Sequence, residues 1–327
     1  MSRAAIAVAI LLAVLLLAGC GVDEEESRPN ARATLLLDFT PNAVHAGIYS
    51  AVQRGYDAAE GVHLRVREPS SSTDAIKLLL AGRTDFAVLD IHDVAIAAGQ
   101  GRNVACVMSI AQRPLASVLA NADVRRPRDL EGRTVGVTGL PSDDAVLRSI
   151  VEGDGGDPGA VDVVTIGFNA VPALLSGRVD GATAFWDVEG VALRQERPDA
   201  REFRLDEYGA PAYPELLLCT RRATVQDHPA LVRATVDALQ RGYRFALDDP
   251  ESSVADMLEA VKGASREQLT AQMDVLTSVF LGPTGRPGAL DERVLRRWAR
   301  WEAAVGIVDR PPEIFDLFVT RYANGGD

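Results

Sequence analysis

The stretch L-D-F-T-P-N-A-V-H-A-G-I-Y, residues 37–49, places an Asp, an aromatic ring, an Asn and a His between an apolar run and a helical one. A packed core needs none of these four, whereas a pocket has a use for each. Asp38, Phe39 and Asn42 close the first strand-like run, and His45 opens the helix after it. Similar corners recur along the chain. Ser71 lies in a Ser-Ser-Ser-Thr run before a helix, Asp90 ends D-F-A-V-L-D, and Gln112 ends S-I-A-Q. Phe168 and Asn169 end a later run, and Trp186 and Glu189 follow the last one. In open α/β sheets, ligands bind outside the carboxyl ends of the strands. Trp186 and Phe168 can sandwich a flat ring, with Phe39 as a further stacking face. Asp38, Asn169 and Glu189 can fix its polar edge, and a carboxylate suits amino donors. The pocket expected is that of a small, planar, nitrogen-rich heterocycle.

Each residue also has a plainer use. Asp38, Asn42 and Asp90 are good helix and turn caps. Ser71 reads as an N-cap, or as part of an anion site on bare helix amides. His45 alone suits a structural hydrogen bond, and Phe168 or Trp186 alone suits a core. The shared topological position favours a site over seven unrelated coincidences.

Other chemistries lack their residues. There is no G-x-x-x-x-G-K-[ST] loop, and neither of the two lysines, Lys77 and Lys262, follows a glycine-rich turn. The four histidines, at 45, 63, 92 and 228, have no metal-ligand spacing. A G-x-S-x-G elbow is also missing. The expectation is a binding protein rather than an enzyme, with no cofactor and no metal. A formal charge of −12 makes nucleic acid a poor partner.

Strand-like runs alternate with helical patterns from residue 33 onward, which predicts α/β architecture with parallel-rich sheets. Residues 33–120 and 214–327 are expected to form one lobe, with 121–213 inserted as a second. Two crossing segments would then make a hinge that closes on a ligand. Residues 227–321 read as helices. Cys106 and Cys219 sit in apolar strand-like runs and read as two buried free thiols, a disulfide being the alternative in an oxidising compartment.

The first nineteen residues carry one early Arg3 and a long apolar run, the pattern of a secretory signal. L-A-G-C, ending at Cys20, resembles the lipobox of bacterial lipoproteins, which implies cleavage before Cys20 and its lipidation. Residues 20–32 are acidic and polar and read as a disordered tether.

L-D-F-T-P-N-A-V-H-A-G-I-Y, together with L-L-A-G-R-T-D-F-A-V, D-L-E-G-R-T-V-G-V, P-A-L-L-S-G-R-V-D-G-A-T-A-F-W-D-V-E-G and E-Y-G-A-P-A-Y-P-E-L-L-L, resembles the NMT1/THI5-like group. That group includes solute-binding proteins of ABC importers for thiamine-pyrimidine precursors. The resemblance spans about residues 33 to 320. It implies a bilobed class II periplasmic-binding-protein fold. It also implies a monomeric, membrane-tethered protein that hands a small molecule to a permease driven by a separate ATPase. By position, the implied contacts are Asp38, Phe39, Asn42, His45, Ser71, Asp90 and Gln112 in the first lobe. Asn169, Trp186 and Glu189 follow in the second, with Phe168 and Tyr213 nearby. Phe39 departs from the group's usual Trp; it keeps a flat apolar face and lacks an indole N–H. The group's synthases use a lysine at the end of the third strand and a cysteine-rich iron motif. Here those places hold Asp90 and the single Cys219, so no Schiff base is available.

Overall fold

The computed structural model describes residues 31–71, 73–140, 142–282 and 284–325. The signal segment, Cys20 and most of the tether lie outside the described residues. The first strand already begins at Ala31, two residues inside the expected tether.

Two five-stranded sheets organise the chain. The first has the order β2-β1-β3-β10-β4, built from β1 (Ala31–Leu36), β2 (Val62–Arg67), β3 (Phe86–Asp90), β4 (Val104–Ala111) and β10 (Leu216–Arg221). The second has the order β7-β6-β8-β5-β9, from β5 (Ala116–Ala120), β6 (Thr134–Val137), β7 (Asp162–Thr165), β8 (Gly181–Phe185) and β9 (Arg201–Arg204). The pattern is the same in both. Three parallel strands are followed by one reversed strand that arrives from the other lobe. β5 therefore belongs to the second sheet, pairing with β8 and β9. This moves the expected first boundary from residue 120 back to the stretch between Ala111 and Ala116. The five residues of β5, A-S-V-L-A, are all buried, so they show none of the alternation that marks a half-exposed strand.

The helices that matter here are α1 (Ala46–Gln53), α2 (Asp74–Leu80), α3 (Ile91–Gly99), α4 (Asp143–Gly153), α5 (Ala170–Leu175) and α6 (Glu189–Glu196). From the C-terminal part come α7 (Pro229–Asp248), α8 (Pro250–Ala260), α9 (Arg266–Leu281) and α10 (Glu292–Ala304). No helix of the described residues is long and apolar enough to cross a membrane. α7 and α1 approach so closely that a Cβ on Gly242 would lie 2.0 Å from the carbonyl oxygen of Gly47. Tyr243 donates to the carbonyl of Val44 at 2.8 Å, and the amide of Ala43 donates to Gln272 of α9 at 3.1 Å. The C-terminal helices thus fix the 38–45 corner from behind.

Cys106 and Cys219 form a disulfide, which corrects the expectation of free thiols. The antiparallel register of β4 and β10 sets the two residues opposite each other, with Cα atoms 3.9 Å apart. The cross-link spans a sequence separation of 113 residues and so encloses the whole second lobe. In a chain-entropy account, closing a loop of that size restricts the unfolded chain by about 4–5 kcal/mol.

Candidate ligand-binding cleft

The turn after β1 explains how the opening motif folds. Asn42 caps a short 3-10 turn by accepting from the amide of Val44 at 2.9 Å. His45 completes the box, its Nδ1 accepting from the amide of Asn42 at 3.3 Å. With Nδ1 an acceptor, Nε2 carries the hydrogen and donates to Asp38 Oδ1 at 2.9 Å. His45 is fully buried. It therefore orients Asp38, and Asp38 faces the cleft.

That cleft holds about 770 Å³ of atom-free space, including the part open to solvent. Five of the sequence-predicted residues line it: Asp38, Phe39, Asp90, Phe168 and Glu189. Phe39 and Phe168 come from opposite lobes and meet edge to face, with ring centroids 4.3 Å apart. Phe185 adds a third ring. Asp38, Asp90, Asp93, Asp143 and Glu189 all contribute carboxyl groups, while no Lys, Arg or His lines the cleft among the described residues.

The other seven predicted residues stand elsewhere. Asn42 and His45 are the cap and the support just described. Ser71 is exposed and donates to Asp74 Oδ1 at 2.8 Å. Asp74 also takes the hydroxyl of Ser70 and the amides of Ser70 and Ser71, and these bonds, the Ser70 and Ser71 hydroxyls foremost, hold its carboxyl down to about 2. The expected anion site there is filled by the chain's own carboxylate. Gln112 donates to the carbonyls of Phe280 and Arg286, at 2.6 and 2.8 Å, and ties the end of β4 to the C-terminal part. Asn169 is exposed and donates to the carbonyl of Ile166. Trp186 turns away from the cleft. Its indole N–H donates to Pro114 at 3.0 Å, and Arg204 covers its ring at 4.0 Å. Phe185, the last residue of β8, lines the cleft, and Trp186 just beyond it is held against the crossing segment.

Tyr213 is also in the core, hydrogen-bonded to His92 Nε2 at 3.0 Å and stacked on Trp301. His92 Nδ1 contacts Glu302 at 2.8 Å. Burial alone would lower the His92 imidazole, but Glu302, Asp90 and Glu215 carry it up to about 10. Asp90, His92 and Glu215 bring donor atoms within 4.8 Å of one another. Both ring nitrogens of His92 already have partners, so the group is a buried polar network. Glu215 Oε2 accepts the amides of Leu115 and Ala116, at 2.6 and 3.1 Å. One carboxylate thereby clamps the two crossing segments together beneath the cleft.

Sequence reasoning missed Asp93, Asp143 and Phe185 as lining groups. Asp143 opens α4 and accepts from Thr138 Oγ1, the amides of Gly139 and Leu140, and Thr183 Oγ1, all at 2.7–2.9 Å. Its carboxylate fills the amide-lined turn that an anion would otherwise occupy. Asp93 lies three residues after Asp90, one turn along α3, a spacing that could have signalled it. Burial pushes Glu189 up to about 7, and nearby Asp38 adds to the effect.

Two sheets of matching order, joined by two clamped crossings around an aromatic and acidic cleft, define the bilobed solute-binding class. The NMT1/THI5-like family model matches residues 42–253, and the chain belongs to that family. It is 30% identical over 319 residues to the formylaminopyrimidine-binding protein of Halalkalibacterium halodurans, covering 95% of this chain and 97% of that one. It is 26% identical over 317 residues to the riboflavin-binding protein RibY of Chloroflexus aurantiacus, covering 91% and 89%. Among solved structures it resembles the zinc-bound ligand-binding component of an ABC-type import system from Staphylococcus aureus. That match has a TM-score of 0.72 at 16% identity, over 91% of this chain and 99% of that one.

Proposed function

We propose that this protein captures a pyrimidine precursor of thiamine, of the formylamino- or hydroxymethyl-aminopyrimidine type, outside the cytoplasm. In this reading it is a lipid-anchored monomer tethered through Cys20 that delivers its ligand to an ABC permease with a separate ATPase. No bond is made or broken. Contacts from both lobes favour the closed state, which the permease reads.

The observation that carries the reading is the pairing of aromatic and carboxyl groups across the cleft. Phe39, Phe168 and Phe185 offer faces and edges for a flat ring. Glu189, with a carboxyl near 7, offers an O–H donor and a carbonyl acceptor when protonated. That matches the adjacent ring nitrogen and amino group of an aminopyrimidine. An acidic lining opposes anionic solutes, and the two amide-rich turns that might hold one are filled by Asp74 and Asp143. A sulfonate is therefore the poorer fit.

Thermal melting of the purified protein against formylaminopyrimidine, hydroxymethylpyrimidine, thiamine, riboflavin, cytosine and an alkyl sulfonate tests the reading. A ligand at a hundred times its dissociation constant adds about 2.7 kcal/mol, which raises the melting temperature by several degrees. A shift with the aminopyrimidines alone supports the assignment. A shift only with riboflavin or the sulfonate discards it.

A further inference from the structure

The cleft has two carboxyl poles, and each draws on both lobes. Asp38 and Glu189 form one, close enough that Asp38 adds to the cost of ionising Glu189. Asp90 and Asp93 from the first lobe meet Ser142 and Asp143 from the second to form the other. At this second pole almost every acceptor is spoken for. Asp143 takes four internal donors. Asp90 caps α3 by accepting the amides of His92 and Asp93, and it contacts Glu215. Asp93 differs. Ser142 hydrogen-bonds its carboxyl, yet Oδ1 has no partner, although the residue is only 5% exposed and lines the cleft. A buried polar atom without a partner is costly to the fold, and a ligand atom at this position would remove that cost.

We propose that Asp93 is a second recognition point, opposite Glu189, whose carboxylic acid donates a hydrogen bond to a carbonyl oxygen on the side arm of the ligand. The inference rests on the pyrimidine reading above and deepens it: the cleft selects an acylaminomethyl arm over a hydroxymethyl one. The groups around Asp93 decide which form it takes. Asp90 and His92 face it from its own helix, and Asp143 from α4. Burial, then Asp90, then Asp143 favour the neutral acid; His92 and the hydrogen bond from Ser142 oppose them, and the two nitrogens of His92 are already engaged by Glu302 and Tyr213. A neutral acid already accepting from Ser142 has one O–H left to give. An acyl oxygen accepts that hydrogen without bringing another charge into the cleft.

The test is calorimetric titration of the wild-type protein, Asp93→Asn and Asp93→Ala. The ligands are 4-amino-2-methylpyrimidines carrying formylaminomethyl, hydroxymethyl or aminomethyl at C5. In the wild type the formylaminomethyl compound should bind at least tenfold tighter than the hydroxymethyl one. Asp93→Asn keeps an N–H donor and should retain most of that preference. Asp93→Ala should lose it, with affinity for the formylaminomethyl compound falling at least tenfold further than affinity for the hydroxymethyl one. The inference is overturned if the aminomethyl compound binds tightest and Asp93→Asn abolishes this, because Asp93 would then act as an anion. It is also overturned if both variants keep the wild-type preference, an outcome that leaves the pyrimidine reading intact. No binding of any of the three by wild type removes the pyrimidine reading and this inference together.

Discussion

Glu189 concentrates the conflict between folding and binding in one side chain. Burial lifts its carboxyl from an ordinary 4.5 to about 7. In an unfolded chain it ionises earlier, so the folded state holds the proton to higher pH. The folded protein therefore loses stability as pH rises from the ordinary value through 7, on the order of 3 kcal/mol in all. Glu189→Gln removes the ionisation while keeping an oxygen for the amide of Phe185, which Glu189 now accepts at 3.2 Å. At pH 8 the variant should melt no lower than wild type. Its affinity for an aminopyrimidine should fall about tenfold or more, because an amide N–H cannot pass its proton to the ring nitrogen as the acid O–H can, and the charge-assisted pair is lost. Melting and titration at the same pH separate the two effects. If affinity is unchanged, Glu189 does not touch the ligand. His45 acts one step further back: it is buried from solvent, holds the turn through the amide of Asn42 and orients Asp38.

The cleft corner is only as firm as the helices beneath it. α1 begins where that corner ends, and α7 lies against it through Gly47 and Gly242. Gly242→Ala would push a Cβ into the backbone carbonyl of Gly47, which cannot swing aside as a side chain could. The expected result is a loss of about 1–3 kcal/mol in denaturant unfolding, together with weaker ligand binding as α1 shifts Asp38 and Phe39. Unchanged unfolding and binding would show that the helix pair yields without moving the corner. This close approach is not legible in the sequence, because two glycines far apart carry no sign that they meet. The strands were legible where a side chain pattern marks them, as in β1, β3 and β10. β5 and β9 escaped for opposite reasons: β5 is short and wholly buried, and β9 reads R-E-F-R with one buried position. The site was legible as a set of strand ends, since topology alone selects those. Direction was not, so Trp186 and Phe185 exchanged roles. Tyr213 and Gln112 look like ligand groups in sequence because polar residues that serve the core and those that serve a pocket are chemically the same.

For the whole molecule, closure gathers acidic groups that a chain of net charge −12 would otherwise keep apart. Burial raises Asp187 and Glu215 to about 8 and Glu189 to about 7, and lifts Asp93 and Asp143 as well. Each holds its proton in the closed fold to a higher pH than in the unfolded chain. Their shared contribution is thus full only below the ordinary carboxyl value near 4 and is lost as pH rises from there through about 8. His92 acts in the same direction over a higher window. Its proton, kept by Glu302, Asp90 and Glu215 against the cost of burial, stabilises fully below 6.5, and that support drains away toward 10. The melting temperature of the ligand-free protein should therefore fall from pH 5 to pH 8, without the rise expected when salt-bridged carboxylates dominate. Opening the lobes relieves the same crowding by letting water reach Asp93, Glu189 and Asp143. Small-angle scattering should accordingly report a larger radius of gyration at pH 8 than at pH 5, with an aminopyrimidine restoring the compact value at pH 8. A melting temperature that climbs through this window, with a radius independent of pH, would mean that the cleft carboxyls are ionised in the closed form and that a partner not described here balances them.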